Sequence, residues 1–569
     1  MLKNKTSSIA LSLILVFTLF ASSLLGCGDG NGTTKTTEST TSTSTTTTQQ
    51  SINQPVFEGM YSYDEFETPT SCGNCHFDIY SAWSKNQMAK GYTNSWKQVE
   101  YFQLAYAQSQ QVEEVAGVAS GCIMCHAPLA FLAGDIPPAP SSENPRANEG
   151  ISCEICHSLT GSTESAPFNF SGIMHLGNTK YGPRNDSETT YHDSEFSAFV
   201  GSPQHCGLCH DEQSPYGAWV KETYREWAAG PFPAMDITCI TCHMDTTKGK
   251  AALDGKERDD LAVHTFAAVH SPERMLDNIE IIPKVDSEQV AAGGTLKITT
   301  DLRCLMMGHS FPSGSTEERM LWMEVWATDS AGKRYHIPVD PKGFQGEEFT
   351  IADSTATAYS DMATVMEIAN FEGISRDGDV PDGARIFRRP FFNPEGEMTI
   401  MQWYTAENTL VDYRFGPRET KTETYTWKLP ADIADGPITI DFKIYFSLVP
   451  SSIADFLKLE EEFHAAYLTG SSSIIINDEP KTPPPTVVKT YGDKEMTGYI
   501  IFVSDCARCH LLEKNTLAWY GNAQNLLDKI YTMPGGNDDV LSFFLVEYGW
   551  VSADTIFDLD TLSDIVLTK

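Results

Sequence analysis

Apolar and polar positions divide the chain into stretches of different period. Ile9 to Phe20 is a short apolar run behind Lys3 and Lys5, followed by the small or apolar residues Ala21 to Gly26. That order is the positive start, apolar core and small-residue end of an export signal, and the run is too short to span a bilayer well. Thr33 to Gln50 is almost entirely Thr, Ser and Gln, too poor in apolar side chains to fold, and predicts a disordered stalk. From about Asn278 the pattern alternates with period two, as in Thr295 to Thr300, Glu419 to Leu429 and Ile438 to Ile444, which predicts half-buried strands. Asp329-Ser330-Ala331-Gly332, between Met320 to Thr328 and Lys333 to Ile337, predicts a hairpin turn. Ile453 to Leu468 reads as an amphipathic helix, and Lys481 to Thr486, with its three prolines, as a stiff linker.

A length of 569 residues implies several domains rather than one. The formal net charge of −36 excludes nucleic acid, since a polyanion would be repelled. Basic redox partners, metal cations or mineral surfaces suit that charge, which also keeps an exported protein soluble. Leu24-Leu25-Gly26-Cys27 resembles the bacterial lipoprotein cleavage box, in which the cysteine becomes the acylated first residue. Several acyl chains would hold such a protein firmly, at about 0.8 kcal/mol per buried methylene. Gly28 stands where an aspartate would mark inner-membrane retention, so the expected location is the outer membrane, on its cell-surface or periplasmic side. An ordinary cleaved signal is the alternative.

Fourteen cysteines in an exported chain would normally suggest disulfides. Their spacing points elsewhere. Twelve fall in six Cys-x-x-Cys-His motifs: Cys72/Cys75/His76, Cys122/Cys125/His126, Cys153/Cys156/His157, Cys206/Cys209/His210, Cys239/Cys242/His243 and Cys506/Cys509/His510. Thiols three apart on a helical turn reach the two vinyl groups of one porphyrin, and the adjacent imidazole binds its iron. This is the haem c attachment signature, and it implies six covalently bound haems. Half of a zinc site is the competing reading of one such pair, but six pairs each followed by His favour haem. Cys304 is left as a small buried residue, with no disulfide framework. Five motifs lie between Cys72 and His243, where porphyrins must replace much of the side-chain core. Short helices, long loops and stacked haems are expected there rather than a sheet.

The run from Cys72 to Trp83 resembles the opening of the multihaem superfamily that includes tetrahaem cytochromes, octahaem hydroxylamine oxidoreductase and pentahaem nitrite reductase. The resemblance continues in Gly150 to His157, in Cys206 to Asp211 followed by Tyr224-Arg225-Glu226-Trp227, and in Ile237 to Met244. The β region shares phrases with multihaem relatives, Gly308 to Gly314 and Asp412-Tyr413-Arg414 with Pro417 to Glu419. Gly498, Phe502 and Cys506 reproduce the spacing of the first helix of small monohaem cytochromes c, with Leu541 to Tyr548 as a candidate last helix. That second resemblance implies Met533, before Pro534, as the distal ligand of the Cys506 haem.

Eight histidines lie outside the motifs. His192, His264 and His309, in family-like phrases, are the leading distal-ligand candidates, followed by His175 and His270. His205, adjacent to Cys206, is expected to be tied to its own haem. His336 is expected on a solvated edge hairpin, and His464 on the apolar side of the helix from Ile453. Relatives carry a ligand His five residues beyond Trp83, where this chain has Met88. Met88 is therefore a further candidate, which would raise its haem's potential, or else a residue packed on porphyrin.

The resulting expectation is a multidomain chain: signal peptide 1–26, acylated Cys27 and stalk to 55, and a mainly α and irregular pentahaem domain over 56–277. A β-sandwich-like domain with a C-terminal helix follows over 278–480, then a Pro-rich linker over 481–495 and a monohaem cytochrome c-like domain over 496–569. The expected function is electron transfer, with redox proteins or extracellular acceptors as partners and homo-oligomers open. The alternative is an oxidoreductase acting on small nitrogen or sulfur compounds at an open haem. Against that alternative, no Cys-x-x-Cys-Lys motif is present. A haem-lined filament is the third reading.

Overall fold

The computed structural model describes residues 54–478 except 305–306, 356, 379 and 409–410, together with the backbone of a short hairpin, Val488–Tyr491 with Lys494–Thr497. Residues 72–243 form short helices joined by long loops, and each of the five motifs they contain lies on or beside one. The first motif begins in α1 (Pro69–Gly73) and precedes α2 (Phe77–Trp83). The second ends α3 (Val118–His126), the third opens α4 (Cys153–Ser158), the fourth ends α5 (Pro203–His210) and the fifth forms α7 (Cys239–His243), after α6 (Thr223–Ala229).

Local chemistry sets where these helices start. Pro69 and Pro203 occupy first helical positions, where a fixed φ and a missing N–H cost nothing. The Thr68 hydroxyl accepts from the Ser71 N–H at 3.3 Å and so caps α1. Between the helices run two- and three-stranded sheets, such as Leu159–Ser162 against Gly172–Met174, a β content that the period analysis did not anticipate.

Besides two short two-stranded sheets, Thr357–Ala358 with Ile374–Ser375 and Phe391–Phe392 with Met398–Thr399, the second half holds two large antiparallel ones. One is ordered β1 (Ile279–Val285), β2 (Thr295–Cys304), β6 (Thr420–Lys428). The other is ordered β4 (Arg334–His336), β3 (Met320–Thr328), β7 (Ile438–Ser447), β8 (Tyr467–Ile476), with the two-residue β5 (Arg385–Ile386) also on β3. Alternation is strict in β2, where Leu296, Ile298, Thr300, Leu302 and Cys304 are buried and face one core. Leu321, Met323 and Val325 of β3 and Ile440, Phe442 and Ile444 of β7 fill the same core, so the two sheets share it. Trp96, Leu104, Val115 and Val118 join it from the haem-motif region. The sheets meet where Gly470 of β8 lies against the Ile279 carbonyl of β1, a contact that leaves no room for a Cβ.

Three expectations need correction. The helix expected over Ile453 to Leu468 is α8 (Ser451–Leu457) alone; it stops at Lys458, which adopts the left-handed conformation (φ +56°). Leu468 belongs to strand β8, and His464 follows a single 3₁₀ turn at Glu461–Phe463. His336 is half-buried rather than solvated, its ring 4.9 Å from Trp326, and burial lowers its pKa. The backbone over 488–497, from the later part of the expected linker into the first residues of the expected monohaem domain, forms a hairpin rather than a plain linker. Cys304 is fully buried, and burial pushes its thiol up to about 12.

Candidate haem sites

The five described proximal imidazoles have closely related surroundings. Four place Nδ1 against a backbone carbonyl: His76 on Ala251 (2.7 Å), His126 on Gly91 (3.2 Å), His157 on Tyr181 (2.7 Å) and His243 on Ala267 (2.8 Å). A neutral imidazole that donates from Nδ1 keeps its Nε2 lone pair free for a metal. Burial favours that neutral form, lowering the pKa of His126, His157 and His243 and bringing His210 to about 4. Among the described residues, no three His, Cys, Asp or Glu side chains converge as a closed metal site, which is what half-zinc motifs would have to build.

Two spare histidines stand opposite proximal ones. His192 faces His76 with ring centroids 6.3 Å apart and planes 24° apart, and His309 faces His243 at 6.3 Å and 8°. Two imidazole nitrogens on one metal at about 2 Å each, with roughly 1 Å from nitrogen to ring centre, put the centroids about 6 Å apart. Both pairs therefore have room for one iron. His192 and His309 turn Nδ1 to the carbonyls of Asp193 (3.0 Å) and Ser310 (2.9 Å), which leaves Nε2 facing the gap. With the thiols of each described motif half-buried or exposed beside these imidazoles, the residues present fit haem c.

The remaining candidates lie as follows. His264 is half-buried near His157, with Nδ1 on the Ala262 carbonyl (3.1 Å) and a pKa brought to about 4 by desolvation. His205 shares that neighbourhood: its Nδ1 meets the Val200 carbonyl (3.1 Å), and burial likewise brings its pKa to about 4. It therefore has the surroundings of a ligand rather than of a residue tied only to its own motif. His175 contacts the Tyr181 hydroxyl, and His270 is edge-on to Phe463 at 6.4 Å. Met88 is held through its backbone, its N–H on Asn86 Oδ1 (2.8 Å) and its carbonyl accepting from the Ile151 N–H (3.0 Å). Cys27, Cys506, Cys509, His510 and Met533 lie outside the described residues.

The motifs meet in an order different from their order in the sequence. The sulfurs of Cys72 and Cys153, of Cys206 and Cys239, and of Cys125 and Cys209 lie close enough to act on one another electrostatically, and Cys156 lies within electrostatic reach of Cys206 and Cys209. The resulting succession is first, third, fourth, fifth, with the second beside the fourth.

Two of these junctions are built alike. In the first, the Tyr80 ring packs on Gly73 and lies 5.9 Å from Trp83, whose indole N–H donates to the Ile151 carbonyl just before Cys153 (2.9 Å). In the other, Tyr224 packs on Gly207 and lies 5.9 Å from Trp227, whose N–H donates to the Ile237 carbonyl just before Cys239 (2.9 Å). Each tryptophan thus ties one motif to the approach of the next in space. A Cβ at Gly207 would come 2.9 Å from the Tyr224 ring and 3.1 Å from Pro167. Gly207→Ala should therefore destabilise the haem-loaded protein by about 1–3 kcal/mol, read as a lowered thermal midpoint; an unchanged midpoint would contradict this packing.

His309 is held by a clamp across the two halves of the chain. Glu226 on α6 accepts from the Ser310 N–H (3.2 Å) and the Ser313 hydroxyl (2.6 Å), and from Arg414 (2.6 Å), whose Nη1 also donates to the Pro312 carbonyl (3.1 Å). Burial would raise the Glu226 carboxyl, but Arg414 and Ser313 outweigh it and hold it below its ordinary range. Tyr413 donates to Glu423 (2.7 Å). The family-like phrases at 224–227, 308–314 and 412–414 are thus parts of one support.

A cavity of about 210 Å³ lies at the second motif, lined by Cys122, His126, Lys97, Glu212, Lys221 and Gln402 among others. Lys97 pairs with Glu100, and Lys221 pairs with Glu212 and donates to Gln402. The sequence reading missed this lysine–carboxylate lining because its members are scattered from residue 97 to residue 402.

The attachment motifs and this fold together are those of a multihaem c-type cytochrome, a class whose covalently bound haem c transfers electrons. Residues 71–158 match the family described as cytochrome c554 and c-prime. The fold is similar to that of a penta-heme cytochrome c552 from Thermochromatium tepidum, with TM-score 0.51, 19% identity, and coverage of 72% of this chain and 99% of that one. A sporulation control protein from Bacillus subtilis, Spo0M, aligns at 9% identity over 36% of this chain and 50% of its own, with TM-score 0.13. No curated protein sequence matches the chain.

Proposed function

We propose that this protein is an exported, lipid-anchored hexahaem cytochrome that relays electrons through closely packed haems. The observation that carries the reading is the closeness of the motif sulfurs, which brings successive porphyrin attachment points together along the order first, third, fourth, fifth. Axial ligand, proximal hydrogen bond and burial would tune each iron, while the haem supplies the redox chemistry. His192 and His309 are assigned as distal ligands opposite His76 and His243. His264 and His205 are assigned to the neighbourhood of His157. The sixth haem, at Cys506 and Cys509 with His510 and Met533, would end the chain at higher potential than its bis-His neighbours. Anchoring through Cys27 at the outer membrane, with the Thr-rich stalk giving reach, suits delivery to redox proteins or extracellular acceptors.

The test is a potentiometric titration of the full holoprotein followed by its absorbance. Several low-potential bis-His steps with one distinctly higher step are expected; a single potential shared by all haems would overturn the ligand assignment.

A second reading draws on the cavity at His126. A haem there, flanked by paired lysines and carboxylates, could stay open for a small oxyanion or amine and make the protein an oxidoreductase. Electron paramagnetic resonance of the oxidised protein separates the two: one high-spin five-coordinate signal supports the oxidoreductase, and low-spin signals alone support the carrier.

A further inference from the structure

Three segments that adjoin the first motif, at one end of the succession, carry the most exposed large apolar side chains among the described residues. Tyr191 is 76% exposed, Leu253 72% and Phe77 69%. All three are tied to the His76–His192 pair. Phe77 follows His76, Tyr191 precedes His192, and the Leu253 N–H donates to the Cys75 carbonyl at 2.8 Å, two residues from the Ala251 carbonyl that holds His76. Large apolar side chains clustered in a polar surround mark an interaction surface rather than scattered exposure.

The surround is acidic. Asp78, Glu188, Glu195 and Asp254 are exposed beside these residues in the chain. Three nearby cations are engaged, Lys256 and Arg258 by Asp186 and Arg184 by Asp260, which leaves exposed Lys250 against these four carboxylates. A partner meeting this surface therefore finds an apolar centre, a net negative rim and, next to both in the chain, the imidazole pair of the first haem site.

We infer that this surface is the docking port of the electron relay, built for a small redox protein with a cationic face around its own haem. The inference rests on the electron-carrier reading proposed above. Charge complementarity would steer the encounter, and Tyr191, Leu253 and Phe77 would fill the contact centre, close enough for transfer to the His76 haem.

The experiment uses reduced full-length holoprotein and a cationic monohaem cytochrome c as oxidised probe, mixed by stopped flow at increasing salt. The expected result is a second-order rate that falls steeply with salt and drops about tenfold at low salt in Glu188→Lys/Asp254→Lys. Tyr191→Ala/Leu253→Ala should slow transfer without changing the salt slope. Haem content and reduction by dithionite should match wild type in every variant, which separates docking from misfolding.

Equal slowing by Glu288→Lys, an exposed carboxylate of the β region, would overturn the port in favour of net charge alone. Equally fast transfer to an anionic flavodoxin, or loss of self-association in place of a rate effect, would overturn it too. If wild type exchanges electrons with neither protein nor small dyes, the electron-carrier reading itself fails, and the port fails with it.

Discussion

Replacing His309 with alanine is expected to convert one haem, that of Cys239 and Cys242, from low spin to high spin. The basis is geometric: His309 and His243 are parallel within 8° at 6.3 Å, with His243 held by the Ala267 carbonyl and His309 by that of Ser310. Removing one imidazole leaves the iron with its proximal ligand and an open face, which exogenous imidazole should refill. Paramagnetic resonance of the oxidised protein reads the change directly. His336→Ala, at a half-buried ring against Trp326 in the hairpin of β3 and β4, should leave the spectrum untouched. Equal spectra for the His309 variant and wild type would remove His309 from the ligand set.

The second large effect is expected at the clamp behind that ligand. The Arg414 side chain is 3% exposed and that of Glu226 10%, so Arg414→Met leaves a buried carboxylate without its cation. Breaking a buried pair from one side costs about 3–5 kcal/mol, because the remaining charge keeps its desolvation cost and loses its partner. Ser310 and Ser313 hang on the same carboxylate, so the loss should reach His309. Denaturant unfolding of the holoprotein should show the lower stability, and the Cys239 haem should acquire high-spin character. Glu226→Gln keeps the hydrogen-bonding shape and should cost less. A stability change below about 1 kcal/mol for Arg414→Met would show that the pair is not a support.

The residues that carried chemistry were the most legible in the sequence. Attachment motifs are local, since two thiols and an imidazole must lie within one helical turn, and five of them occupy helices or helix ends. The long strands were legible because one face of each is buried: Thr295 to Thr300, Glu419 to Leu429 and Ile438 to Ile444 lie in or around β2, β6 and β7. The helix expected through Leu468 failed because an apolar repeat also suits a short helix, a turn and a strand in succession, and only the left-handed Lys458 ends it.

Tertiary supports were hidden. The Gly–Tyr–Trp junction occurs twice, but Gly73 and Tyr80 are close in sequence, while Gly207 and Tyr224 are separated by the hairpin Asp211–Gln213 with Trp219–Glu222. The Glu226–Arg414 contact spans 188 residues, beyond the reach of any periodicity. His205 looked bound to its neighbour Cys206, whereas its partner is the carbonyl of Val200. Distal ligands are fixed by the folded chain as a whole, which is why the sequence offered candidates and geometry was needed to pair them.

Covalent haem content tests the central claim most directly. The mass of the purified holoprotein should fall by six haems when its thioether bonds are cleaved, five from the motifs between Cys72 and His243 and one from Cys506 and Cys509. A smaller loss would contradict the count, and no loss at all would contradict the identification of this chain as a multihaem c-type cytochrome.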